Sequence, residues 1–163
     1  MPEEKVFKRA QQDKEQGKSP STQAGEFVRE EMHHIREGKH GARSAQQAIA
    51  IGLSKARRAG VGLPPPKQGV SSKTRAQARR EKQKAKESPS HKPSTVRSRA
   101  VSGALKREGR SAASKLSLSR HARAAARKRG GQSRRQSAMK AVQTKGKIGL
   151  RGVATKAART RKE

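Results

Sequence analysis

The 163-residue chain carries 42 Lys and Arg against 12 Asp and Glu, a net charge of +30, with 29% hydrophobic and 1% aromatic residues. It has no Cys, which excludes disulfides, thiolate zinc sites and cysteine nucleophiles, and no apolar run approaches the length of a transmembrane helix. A chain this charged and this poor in large apolar side chains is not expected to offset its ordering entropy by burial. Composition therefore predicts a mostly disordered chain with α-helical segments, an N-terminal α-hairpin followed by a basic, conditionally helical tail.

The first 20 residues form a charged N-terminal segment. The Met1-Pro2-Glu3-Glu4-Lys5 start lacks the apolar stretch of a secretory signal, which points to a cytoplasmic protein. Residues 3–16 are compatible with a fraying helix that Gly17 and Ser19-Pro20-Ser21 stop. A helical hairpin is predicted over 21–63. Its first helix, capped by Ser21 or Thr22, runs to about Glu37. Val28, Met32 and Ile35 fall at i, i+4 and i+7 and form one apolar stripe, with Phe27 beside it. Glu26, Glu30 and Glu31 lie in its first half and Arg36 near its end, the order that suits the helix dipole.

Gly38 and Gly41 break this helix. Ser44, with Gln47 three residues on, forms a plausible capping box for a second helix from Ala45 to about Ala59. Ala45, Ala48, Ile49, Gly52, Leu53 and Ala56 share one face, and the small residues among them permit close helix approach. Val28, Met32, Ile35, Ile49 and Leu53 are the expected hairpin core. A homodimer through residues 21–63 would bury the same stripe. Gln46, Gln47, Lys55, Arg57 and Arg58 on the second helix invite a helix-turn-helix comparison, but the connecting linker is long and a third helix is missing. Dimerisation or partner docking is the expected role of the hairpin.

Pro64-Pro65-Pro66 opens a basic linker and helix region over 64–94, in which 73–87 has good helix propensity and no apolar face. Residues 95–163 form a basic tail rich in Ala, Lys and Arg. It holds a weak 16-residue repeat: Ala122–Arg129, Ala138–Lys145 and Ala154–Arg161 align, and Gly130 and Gly146 follow the first two units.

The charge is uneven. Residues 1–65 carry 12 Lys and Arg against 8 Asp and Glu, whereas residues 66–163 carry 30 against 4. A field this dense calls for a polyanion. The candidate nucleic-acid-binding residues are Arg79, Arg80, Arg127, Lys128, Arg129, Arg134 and Arg135, continued by Lys140, Lys145, Lys156, Arg159, Arg161 and Lys162. No Phe, Tyr or Trp lies beyond residue 65, so a stacking-based single-strand reader is disfavoured and duplex DNA is the favoured partner. His33, His34 and His40, with Glu30 and Glu31 nearby, raise a metal hypothesis, but His-Glu-x-x-His is absent and ordinary exposed histidines are expected. No catalytic motif is found, and neither cofactor nor enzymatic activity is expected.

The stretch from Gly25-Glu26-Phe27-Val28 through His40-Gly41 and on through Ser44, Gln47, Ala48, Ile49, Ala50, Ile51, Leu53 and Ser54 to Arg57 is similar to a family of small basic bacterial proteins of unknown function, some labelled DNA-binding. Their shared pattern is a short helix, a Lys-His-Gly element and a Gln-Ala-Ile-Ala-Ile-Ala-Leu-Ser helix. Here Gly52 replaces the usual alanine and the linker is shorter. The resemblance implies a bacterial source and a helix pair, and no mechanism. By composition the tail resembles linker-histone-type nucleoid proteins. The resulting expectation is a non-enzymatic, sequence-nonspecific, architectural DNA-binding protein of the nucleoid. The alternatives are a hydrophilin-like stress-protection protein, which the charge disfavours, and an RNA chaperone or ribosome-associated protein.

Overall fold

The computed structural model describes residues 3–66, 71–87 and 94–162. Their contacts divide the chain into two units, Met1–Leu118 and Ser119–Glu163. Among the described residues the secondary structure is helical: α1 (Glu4–Glu15), α2 (Pro20–Arg36), α3 (Ala45–Arg58), α4 (Ser72–Glu87), α5 (Thr95–Arg107), a short 3-10 helix (Ser111–Ala113), α6 (Lys115–Lys128) and α7 (Gly130–Lys162). The expectation of a mostly disordered chain is overturned. The reason is local: Ala, Arg, Lys, Gln and Glu are strong helix formers, so a segment without an apolar face still has a backbone preference for helix.

The first unit is built around α2 and α3. Helix α2 starts two or three residues earlier than Ser21 or Thr22 would place it, because Pro20 stands at its first position with Ser19 preceding it. Proline there sacrifices no helical hydrogen bond and presets φ. Helix α3 begins at Ser44, whose hydroxyl oxygen accepts from the Gln47 N–H at 3.2 Å. The reciprocal half of the box is shifted by one residue. Gln47 Oε1 accepts from the Arg43 N–H at 2.8 Å.

The two helices touch at Gly52. A Cβ there would lie 2.7 Å from Val28 Cα and 3.1 Å from the Phe27 carbonyl oxygen, so this approach depends on hydrogen at position 52.

Two apolar clusters sit on this pair. In one, Phe27 and Ala24 of α2 and Ala56 of α3 pack against Val6 and Ala10 of α1 and against Val61 and Leu63, with Leu53 at the edge. Phe7 meets Phe27 edge-on, ring centroids 5.6 Å apart. The other joins Met32, Ile35, Ala42 and Ala48 to Ala112 and Ala113, flanked by Val28, Ile49 and Leu118. Among the described residues nine of the fifteen buried apolar positions are alanine, so burial comes from close backbone approach more than from side-chain bulk.

The return of residues 105–113 onto the hairpin is held by backbone. The Gly41 N–H donates to the Leu105 carbonyl at 2.8 Å and the Ala42 N–H to the Gly109 carbonyl at 3.1 Å. Arg36 Nε donates to the Ala113 carbonyl at 3.0 Å. Gly41 is required here, since a Cβ would fall 1.9 Å from the Glu108 carbonyl oxygen.

Charge is also buried. Glu30 and Glu31 are among the least exposed residues, contrary to a role confined to the helix dipole. The Lys55 ammonium lies 2.6 Å from Glu31 Oε2, an ion-pair distance although off the direction of a well-formed hydrogen bond. Glu30 Oε1 accepts from the Glu3 N–H at 2.5 Å and ties the start of α1 to α2. Hydrogen bonds from His34 and Lys39 hold the Glu3 carboxyl below its ordinary range, and Glu37 and Glu3 raise the Lys39 ammonium above its own. Helix α4 docks on α3 through buried Ala78 and Glu81. Glu81 accepts from Ser54 Oγ at 2.5 Å and lies 3.5 Å from Arg57.

Candidate nucleic-acid interface

The Ser119–Glu163 unit holds 15 Lys and Arg and no Asp or Glu between Ser119 and Lys162. Helix α6 is primed by Ser114, whose Oγ accepts from the Ser117 N–H at 3.1 Å. Its Ala-Arg-rich body has the propensity to continue as helix without burying a face. Arg120, Arg123 and Arg127 recur at i, i+3 and i+7, one stripe of the helix, and all three are exposed. Lys128 and Arg129 extend this charge to the end of α6. Arg120 and Arg123 lie outside the runs of adjacent basic residues, and the signal that finds them is the helical spacing.

Gly130 separates α6 from α7 with φ 74°, and Gly146 breaks α7 internally with φ 63° and ψ 177°. These are the two glycines that close the first two sequence repeats, so the repeat corresponds to helical segments punctuated by left-handed or extended glycines. Arg134, Arg135 and Lys140 lie exposed on the first segment of α7 and Arg159 on the second. Arg134 Nε donates to the Gly130 carbonyl at 3.3 Å across the start of the helix. Lys145, Lys156, Arg161 and Lys162 belong to α7 by backbone, with side chains outside the described part. A straight helix of the length between the two glycines spans roughly 24 Å, about seven base pairs of duplex.

Arg79 and Arg80 sit on α4 in the other unit and are exposed. They share that helix with Glu81, whose carboxylate is turned inward to Ser54 and Arg57. The expected hairpin-core residues Met32 and Ile35 are buried, and Val28, Ile49 and Leu53 are half-buried against the two clusters. Two cations once available to α3 as a recognition helix are committed elsewhere, Lys55 to Glu31 and Arg57 to Glu81.

Among the described residues no helix is long and apolar enough to cross a membrane. The solvent-exposed cations of α6 and α7 face a segment without carboxylates of its own, so they are chemically suited to hold several phosphates at once by charge and by Arg hydrogen bonding.

Residues 18–68 match a family of unknown function (DUF6496). This stretch contains α2, α3 and the loop between them, and ends before α4 and the Ser119–Glu163 unit. No curated protein and no solved structure matches the chain.

Proposed function

We propose that this protein is a non-enzymatic, sequence-nonspecific DNA-binding protein that acts by neutralising and bridging phosphates, in the manner of an architectural nucleoid protein. The observation that carries the reading is the run of 15 cations without one acidic residue from Ser119 to Lys162, set on helices of which α6 presents an exposed Arg stripe. Contacts of this kind release condensed counterions and position a protein on a duplex without reading bases. Lack of aromatic platforms in the same unit favours duplex backbone over stacked single strands. Arg79 and Arg80 on α4 supply a second basic patch on the first unit, so one molecule can engage two phosphate tracks, and avidity follows from their linkage.

Comparison of the full chain with a chain ended after Leu118 tests this. The full chain is expected to bind an arbitrary duplex and to shift it into bridged complexes that sediment faster and finally pellet as protein is added. Removal of the Ser119–Glu163 unit is expected to abolish bridging and most affinity. Equal binding by the shortened chain would overturn the assignment to α6 and α7, and preference for structured RNA over duplex DNA in competition would move the function to RNA.

A further inference from the structure

The α2–α3 loop brings His40 back over α2 to a pair of groups that the nucleic-acid reading leaves unused. Glu31 and His34 stand three residues apart on α2 and so share a face. Donor atoms of Glu31, His34 and His40 all lie within 4.8 Å of one another, and those of Glu3, Glu30 and His34 form an adjoining set with the same spacing. Glu31 is 0% exposed, and its Oε1 has no hydrogen-bond partner. His34 and His40 are largely buried, with side chains 12% and 17% exposed.

The tautomer of His40 decides what this arrangement means. His40 Nδ1 lies 3.1 Å from the Gly41 carbonyl, which can only accept, so Nδ1 carries a proton. In the neutral ring with Nδ1 as the donor, Nε2 directs its lone pair at Glu31 Oε1, 3.4 Å away. That lone pair facing a buried carboxylate oxygen is repulsive unless a second ring proton or a metal cation stands between them. The separation fits one. In a tetrahedral site with bonds of about 2.0–2.1 Å, ligand atoms are roughly 3.3 Å apart. A ring whose other nitrogen donates to a backbone carbonyl is also the usual way a protein orients a metal-binding histidine. Three carboxylates (Glu3, Glu30 and Glu31) surround two ammonium groups here, those of Lys39 and Lys55, which leaves negative charge for a cation. Glu30 Oε2, also buried without a hydrogen-bond partner, adds to that field.

We propose that Glu31, His34 and His40 bind a divalent transition-metal ion of the zinc class, with water in the fourth position. The nitrogen and oxygen donor set excludes a preference for calcium or magnesium. The ion would pin the loop after Gly38 to the centre of α2, a structural role independent of the basic unit.

The test uses the full chain, stripped with a chelator and titrated with zinc chloride alone by calorimetry. One equivalent is expected to bind. His34→Ala and His40→Ala are each expected to weaken binding at least about tenfold, the scale on which even outer ligand partners matter. His33→Ala and His121→Ala, which lie outside the cluster, are expected to leave it unchanged. Cobalt(II) added to the unsubstituted chain gives a readout that needs no variant: strong visible absorption of four-coordinate cobalt is expected. No zinc binding, only the weak absorption of six-coordinate cobalt, or equal loss with His33→Ala would overturn the site and assign the His40–Glu31 contact to a doubly protonated imidazole.

Discussion

Lys55→Met isolates the most heavily buried charge in the first unit. Glu31 is fully buried, and Lys55 is the cation nearest its Oε2, at 2.6 Å, on a neighbouring helix. Removing one partner of a buried pair leaves an uncompensated charge, at a cost of about 3–5 kcal/mol. The lower end, about 3 kcal/mol, is expected here because His40 remains 3.4 Å from the other oxygen and Lys55 is itself 17% exposed. For a unit of this size the melting temperature should fall by about 10 °C. Glu31→Met should cost less, about 1 kcal/mol, since Lys55 keeps Glu30 at 4.0 Å and some access to water. The double variant replaces the pair with apolar groups of similar length and is expected to recover most of the loss, standing about 1 kcal/mol below the parent and giving a coupling of about 3 kcal/mol. Urea denaturation followed by circular dichroism, with chelator present throughout, measures all four corners of the cycle. A Lys55→Met protein within about 0.5 kcal/mol of the parent, or additive single losses, would refute the argument that the pair is buried and coupled.

Gly41→Ala is expected to release residues 105–113 from the hairpin, because its Cβ would collide with the Glu108 carbonyl; loss of the two backbone bonds from Gly41 and Ala42 should cost at least about 2 kcal/mol, read as faster amide exchange at Ala42 and a lowered urea midpoint. Ser44→Ala removes the acceptor for the Gln47 N–H and should cost about 1 kcal/mol in the same denaturation, with Ser44→Asp restoring it. Replacing Arg120, Arg123 and Arg127 together by Gln should leave the helix content unchanged and reduce the magnitude of the salt slope of duplex binding by about 3.

The α2–α3 pair was legible because its signals are local. Val28, Met32 and Ile35 repeat at helical spacing, and Ser44 with Gln47 marks a helix start within four residues. Glu30 and Glu31 were not legible as buried groups, since their partners Glu3 and Lys55 come from α1 and α3 and nothing in their own helix announces them. Pro20 reads equally well as the end of one helix or the first residue of the next, and only the second is realised. The return of residues 105–113 rests on main-chain hydrogen bonds at Gly41 and Ala42, which leave almost no side-chain pattern. The expectation of disorder fails because large side chains are not the only route to order. Gly52 and the buried alanines let helices approach closely, and helix propensity carries α4 through α7 where apolar faces are weak. The basic residues were legible as charge, whereas their grouping into the α6 stripe needed the helix to be known.

The salt dependence of duplex binding by the full chain tests the central claim most directly. If about half of the 15 cations between Ser119 and Lys162 face phosphates at one time, the slope of log Kobs against log salt should be about −6 and the same for duplexes of unrelated sequence. A slope near zero, or an affinity that depends strongly on sequence while barely responding to salt, would contradict phosphate neutralisation by α6 and α7.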